Sequence, residues 1–223
     1  MVVRRQVVFG GVAAAACVVG SLVSRMALAQ TAYPKTVGIL QRSRASERIA
    51  YRRYAAFTKQ ARADGYAGIA YLFTALATAE LIHEQNFEKT LARLGIEITP
   101  LPEDELQVGS TKQNLITAAA TEIQDVSVFY PNVLTELKPE GFQDAITMAT
   151  YAWETEKQHL DILKSIQRWT PNHFEVVARK IDNETGQYFV CQICGSTTLK
   201  IPKGKCSICN YPSEHFRKIE PPV

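Results

Sequence analysis

Two stretches of this chain repeat apolar residues every three or four positions, the spacing of one face of a helix, and both are interrupted at mid-length by the same polar pair. The first stripe reads Ile69, Phe73, Leu76, Glu80, His83, Phe87, Leu91 and Leu94; the second reads Ile146, Ala149, Trp153, Glu156, His159, Leu163 and Ile166. An ionised side chain in the middle of a buried face is costly unless something compensates it. Any fold that buries these faces must therefore bring Glu80-x-x-His83 and Glu156-x-x-His159 to partners of opposite charge.

The surrounding sequence, residues 36–170, reads as four long helices. The first runs from about Thr36 to Asp64 and stops at Gly65; the second runs from about Tyr66 to Leu94, before Gly95. So short a connection makes them antiparallel neighbours. A proline-bearing stretch from Ile96 to Gly109 leads to a third helix, capped by Ser110 and Thr111 and ending near Glu136. Pro139-Glu140-Gly141 then turns the chain into the fourth, which stops before Pro171. Two hairpins joined by one long crossover is the connectivity of ferritin-like bundles, so the expected class is mainly α.

The first and third helices carry acids on the same kind of stripe. Leu40, Ser43, Glu47, Tyr51, Tyr54 and Ala61 place Glu47 inward, and Leu115, Ala119, Glu122, Asp125, Phe129 and Val133 place an acidic pair inward. Glu47 lies about 18 residues before the first turn and Glu80 about 15 after it, so at about 1.5 Å per residue their depths agree to roughly one helical turn. Glu122 and Glu156 match similarly across the second hairpin. Five carboxylates and two imidazoles thus converge in an apolar bundle, a cluster that two divalent ions would neutralise. A single Glu-x-x-His is weak, because that spacing is common in exposed pairs. Repeated at matched depth, with an inward Glu on each remaining helix, it is the recurring di-iron carboxylate arrangement. Glu84, Glu88 and Glu154 lie off the stripes and are expected to be solvated.

Four of the five cysteines form Cys191-x-x-Cys194 and Cys206-x-x-Cys209, with eleven residues between the pairs. Such facing pairs suit one tetrahedral metal, with two disulfides as the alternative. Residues 171–186 read as a polar linker. Residues 187–220 read as a small ribbon, with little core of its own and dependent on its metal.

Cys17 falls in a different region. Arg4 and Arg5 precede an apolar run from Val7 to Val23, and Ala27-Leu28-Ala29 offers small residues for cleavage after Ala29. Residues 1–29 are expected to be a cleaved export signal resembling the twin-arginine class, with Val3 where serine or threonine is usual. The destination would be the periplasm. The alternative is a membrane anchor over residues 7–23, a run at the lower limit of bilayer-spanning length. A net charge of +3, with 21% charged residues, shows no nucleic-acid footprint.

At this point the residues resemble the rubrerythrin family over nearly the whole mature chain. The matching passages are Glu47 on a tyrosine-rich helix, Ala79-Glu80-Leu81-Ile82-His83, Gly109-Ser110-Thr111 before Asn114-Leu115, Glu122-x-x-Asp125 with Phe129-Tyr130-Pro131, Glu156-Lys157-Gln158-His159, and Cys191-Gln192-Ile193-Cys194-Gly195 with its partner pair. The resemblance implies that Glu80 and Glu156 bridge two irons, with Glu47 and Glu122 terminal and His159 a ligand. It also implies that one iron moves on reduction between Asp125 and His83. Asp125 departs from the family's glutamate and reaches about 1.5 Å less far, which questions that movement. Tyr54 and Tyr130 match tyrosines near the family's metal site, where packing alone is an equal reading. The tail is then a rubredoxin-like domain, Gly195 taking a left-handed conformation and Asn210 replacing the second knuckle's glycine.

The implied activity is a peroxidase that reduces hydrogen peroxide to water with two non-haem irons in oxidative-stress defence. Electrons would come from an unidentified donor through one iron, or zinc as the alternative, in the four-cysteine site. The family's head-to-tail pairing implies a homodimer in which the knuckle of one chain serves the bundle of another. The rivals are a ferritin-type ferroxidase and a non-enzymatic zinc-ribbon interaction protein.

Overall fold

A computed structural model of the protein describes residues 32–222 except 104, 168, 169 and 185. The expected export signal lies outside the described residues. Helices α1 (Pro34–Ala63) and α2 (Ala67–Arg93) form the first hairpin. Gly65 ends α1 at φ +85°, a left-handed value that lets the amides of Gly65 and Tyr66 return to the carbonyls of Arg62 and Ala61.

The third rod of the bundle is not one α-helix. It consists of α3 (Thr111–Gln124), a π-helical turn at Asp125–Phe129, and α4 (Tyr130–Leu137). Helix α5 (Gln143–Gln167) completes the second hairpin. Ser110 forms the expected cap, its side chain accepting from the Gln113 amide while Gln113 reaches back to the Ser110 amide.

Three helix starts are also held by acids from elsewhere in the chain. Glu140 accepts from the Lys35 and Thr36 amides at α1, Asp64 from the Thr111 amide and hydroxyl at α3, and Asp182 from the Gly68 amide at 2.6 Å at α2. Each satisfies backbone donors that a helix leaves free and places negative charge at the positive end of the dipole.

The apolar interior falls into two clusters. One gathers Tyr54, Phe57, Ile69, Phe73, Leu76, Leu115 and Leu163; the other gathers Ile39, Leu40, Phe87, Leu91, Tyr130, Val133 and Ala149. In all four rods the inward acids lie between residues of the first cluster and residues of the second. A polar layer therefore crosses the bundle at one level.

The span expected to be a polar linker is instead helix α6 (Thr170–Glu184), kinked at His173. Phe174, Val177, Ala178 and Ile181 stand at helical spacing and pack against the first cluster, and Ala178 is fully buried. Tyr66 meets Phe174 edge to face and bonds Glu175 through its hydroxyl. The helix ends by placing Asp182 on α2.

The ribbon is a three-stranded antiparallel sheet in the order β2 (Thr197–Thr198), β1 (Phe189–Cys191), β3 (Phe216–Lys218). It packs on its own bundle, whereas the family's pairing implied that it would serve the bundle of a second chain. Tyr71 on α2 donates its hydroxyl proton to the Ile219 carbonyl at 2.5 Å and accepts from the Tyr188 amide, clamping both ends of the ribbon.

Candidate metal centre

Six of the seven predicted bundle ligands are brought together: Glu47, Glu80, His83 and Glu156 form one set of donor atoms within 4.8 Å of one another, and Glu80, Glu122, Glu156 and His159 form a second. All six are buried. Glu80 and Glu156 belong to both sets, and their oxygens are divided between them. Nδ1 of His83 lies 3.0 Å from Glu80 Oε2 and 3.1 Å from Glu156 Oε1. Nδ1 of His159 lies 3.3 Å from Glu80 Oε1 and 2.9 Å from Glu156 Oε2. Each of these glutamates thus turns one oxygen to each half of the site, as a bridge between two ions requires. Glu47 and Glu122 each serve one half only, 3.6 Å from His83 and 3.8 Å from His159.

The electrostatics show what such a cluster lacks without cations. Burial drives the carboxyls of Glu47, Glu122 and Glu156 above the ordinary range, and neighbouring carboxylates add to it. Burial acts the same way on Glu80, but His159 and His83 outweigh it and hold that carboxyl below the usual range. Burial would lower His83, yet hydrogen bonds to Glu156, Glu47 and Glu80 raise it well above the ordinary histidine value. Glu122 Oε2 is buried with no hydrogen-bond partner, an orphaned acceptor on one of the clustered carboxylates. Carboxylate and imidazole donors in two overlapping sets, one with an oxygen unclaimed, fit two hard-to-borderline divalent ions. This is the donor set of a two-metal carboxylate site.

Two tyrosines close the set. Tyr54 donates to Glu122 Oε1 and Tyr130 donates to Glu47 Oε1, so each hydroxyl holds the terminal carboxylate of the opposite hairpin. From Glu47 to Tyr54 is seven residues, but from Glu122 to Tyr130 is eight. The π turn absorbs the extra residue, and Tyr130 still faces inward. Within that turn the indole N–H of Trp153 donates to the Val126 carbonyl at 3.0 Å.

Asp125 begins the π turn and belongs to neither donor set. It is half-buried, and burial followed by the charges of Glu47 and Glu80 pushes its carboxyl up to about 7, with Arg53 opposing. Of the acids expected to be solvated, Glu84 is a correction: it is buried and pairs with Arg48 at 3.5 Å. Glu88 pairs with the buried Arg44. Both lie where α1 and α2 pack, and two matched arginines on α1 make their burial tolerable. Glu154 pairs with Lys157 at the surface.

The second site gathers Cys191, Cys194, Cys206 and Cys209, all buried, with sulfur atoms within 4.8 Å of one another. They form no disulfide, the Cys191–Cys209 and Cys194–Cys206 sulfurs standing 3.8 and 3.6 Å apart where a disulfide needs about 2.05 Å. The two knuckles match: the Gly195 amide donates to Cys191 O and the Asn210 amide to Cys206 O, with φ of +83° and +61°. Asn210 occupies the left-handed region, as its residue type allows.

The two sites touch, which the sequence did not reveal. His83 Nε2 lies 3.1 Å from the Cys194 carbonyl oxygen, which also accepts from the Thr155 hydroxyl at 2.9 Å. His159 Nε2 lies 3.3 Å from Thr197 Oγ1. Gln158 accepts from the Ser196 hydroxyl and the Thr197 amide, and Asn86 donates to the Ile193 carbonyl. The outer nitrogens of both histidines are therefore held by the ribbon, a support that fixes tautomer and ring orientation.

The family model described as Rubrerythrin matches residues 38–167. Nigerythrin from Nitratidesulfovibrio vulgaris is 30% identical over 197 residues, covering 84% of this chain and 88% of that protein. A rubrerythrin from Porphyromonas gingivalis is 29% identical over 182 residues, covering 79% and 86%. A solved structure of fully reduced, all-ferrous nigerythrin superposes with a TM-score of 0.71 at 29% identity, over 82% of this chain and 86% of that one.

Proposed function

This chain belongs to the rubrerythrin family, and from that premise we propose that it is a non-haem di-iron peroxidase reducing hydrogen peroxide to water, with electrons relayed through iron in the four-cysteine site. The observation that carries the proposal is the contact between the sites: the Cys194 carbonyl is hydrogen-bonded to the His83 imidazole. A ferroxidase of ferritin type has no use for that contact.

Glu47, Glu80, His83, Glu122, Glu156 and His159 would hold two irons, and Cys191, Cys194, Cys206 and Cys209 a third. The paired irons would supply two electrons at one place for O–O cleavage, with hard carboxylate oxygens suited to the ferric product. The protein's own groups do the rest. Reducing one peroxide to two waters consumes two protons. Tyr54 and Tyr130 keep theirs, because burial and then the neighbouring Glu122 or Glu47 raise both hydroxyls well above the ordinary tyrosine range. Each proton is held against a terminal carboxylate. His83 and His159 are oriented from behind by Cys194 and Thr197, and two apolar clusters exclude water from either side.

Stopped-flow oxidation of the anaerobically reduced protein, followed at both iron centres, tests this reading. Peroxide should oxidise the bundle first and the knuckle through it, faster than oxygen does. An iron-free purified protein with stoichiometric zinc, or turnover of ferrous iron without peroxide consumption, would overturn it. Export and a homodimer belong to the same proposal, supported by Arg4-Arg5 with Ala27-Leu28-Ala29 and by the family resemblance. Fractionation should find a form beginning at Gln30 outside the cytoplasm, and Arg4→Lys with Arg5→Lys should block it. Sedimentation of the mature protein tests the dimer.

A further inference from the structure

Helix α5 serves both metal sites from adjoining stripes. Glu156 and His159 point into the bundle, while Tyr151, Thr155 and Gln158 follow one another at helical spacing along a neighbouring stripe that meets the ribbon. Thr155 donates to the Cys194 carbonyl, and Gln158 accepts from Ser196 and Thr197. Tyr151 makes a contact of another kind. It packs against the cluster of the four cysteines and Phe216, which Phe189, Ile193 and Ile208 also surround. Every member of that apolar shell except Tyr151 belongs to the ribbon.

The cysteines are almost dry. Cys191, Cys194 and Cys206 are at most 1% exposed, and Cys209 is 5% exposed. The first pair's loop is tied to the bundle through the carbonyls of Ile193 and Cys194, held by Asn86, His83 and Thr155. Tyr151 stands beside the second pair: burial and then the charge of Cys209 raise its hydroxyl above the ordinary tyrosine range, with Tyr211, Cys194 and Cys206 adding to it. Half-buried at the rim of this cluster, the ring lies where solvent would otherwise approach the sulfurs.

We propose that the Tyr151 ring seals the four-cysteine site against water, and thereby holds the reduction potential of iron bound there below the value it would have uncovered. Four thiolates leave ferric iron with a net negative charge, and an added electron enlarges it. Water favours the more highly charged ferrous form, whereas a dry apolar shell favours the ferric one. Loss of the ring therefore raises the potential and makes the knuckle a weaker donor to the bundle. A side chain of the domain that receives the electron would thus set the driving force for its delivery. The potential rests on the reading of iron in the knuckle. The seal does not, because a ring that excludes water also excludes a chelator, whichever metal the cysteines hold.

Three variants of the mature protein separate the causes. Tyr151→Ala removes the ring, Tyr151→Phe removes only the hydroxyl, and Tyr71→Phe loosens the ribbon at its clamp on Ile219 and Tyr188, away from the cysteines. Midpoint potentials are read from the thiolate-to-iron colour of the knuckle in a mediated dithionite titration. Tyr151→Ala should favour the ferrous knuckle by about tenfold or more, a rise of about 59 mV for one electron. Tyr151→Phe and Tyr71→Phe should stay within about twofold of the parent. In cobalt-loaded protein, whose thiolate bands report the four-cysteine site alone, Tyr151→Ala should lose its metal to excess EDTA about tenfold or more faster, and the other two variants within about twofold of the parent. Parent-like behaviour of Tyr151→Ala in both measurements would overturn the proposal. So would a Tyr151→Phe shift as large as that of Tyr151→Ala, which would assign the effect to the hydroxyl, or an equal shift in Tyr71→Phe, which would assign it to undocking of the ribbon. Faster metal loss with an unshifted iron potential would uphold the seal and refute its control of the potential. A knuckle that takes up no iron would refute the relay, while the cobalt measurement still decides the seal.

Discussion

Nε2 of His83 lies 3.1 Å from the carbonyl oxygen of Cys194, so a ligand of one metal site is hydrogen-bonded to a residue of the other. With Nδ1 turned to the carboxylates, the proton of the neutral, metal-binding imidazole belongs on Nε2. The peptide of Cys194 and Gly195 is therefore both a structural support for the bundle site and its shortest observed link to the knuckle.

Gly195 is the residue that permits this approach. A Cβ there would meet His83 Nε2 at 2.5 Å, and the φ of +83° disfavours any other side chain. Gly195→Ala should destabilise the docked ribbon by about 1–3 kcal/mol. Knuckle-to-bundle electron transfer should slow by about tenfold or more, while the four-cysteine colour is retained. Pre-steady-state reoxidation of the knuckle after a peroxide pulse reads this directly, and an unchanged rate would remove Cys194 from the link.

Metal content tests the bridging assignment. Mature protein should carry about three iron per chain. Glu80→Ala and Glu156→Ala each remove an oxygen from both donor sets, so either should lose the bundle pair and keep the knuckle iron. Retention of both bundle irons in either variant would refute the division of oxygens described above.

Asp125 lies outside both donor sets whereas His83 is in one, which favours an iron held by His83 in both redox states. Asp125→Glu adds the missing methylene and should restore a redox-linked shift and change the rate of peroxide reduction, unless packing at the π turn closes the space. Structures of oxidised and reduced forms decide it. Full movement of iron to Asp125 in the parent protein would show that the backbone compensates for the shorter acid.

Asp64 links the first hairpin to the start of α3, and the Thr111 hydroxyl followed by the Thr111 amide lowers its carboxyl below the ordinary aspartate range. Its contribution to stability is complete above the unfolded value of about 3.9 and is lost as pH falls through the lowered folded value. Asp64→Ala should cost about 0.5–2 kcal/mol at neutral pH, the scale of a lost N-cap, and should flatten the acid limb of the stability profile. Denaturant melts at several pH values measure both effects.

The sequence by itself determined the four bundle rods, their pairing and the convergence of six of the seven candidate ligands, because a buried stripe with a period of three to four residues exposes any charge placed on it. Glu80 and His83 stand among Phe73, Leu76, Phe87 and Leu91, and no fold that buries those neighbours can leave the pair in water. The cysteine pairs were equally legible, since ligand spacing is local. Helix α6 was read as a polar linker, because the polar residues around Phe174, Val177, Ala178 and Ile181 hid their helical spacing.

What only the tertiary structure decided is everything that depends on distant segments meeting. The π turn is invisible in propensity, because its cause is the need to bring Tyr130 onto Glu47 after one residue too many. Glu84 is buried because Arg48 on another helix reaches it. Asp125 stands at the first residue of that turn and outside both donor sets, a placement fixed by the packing of the whole rod. Above all, the contact of His83 with Cys194 joins residues 111 positions apart. Sequence spacing carries no information across such a distance; the packing of α2 and α5 against the ribbon supplies it.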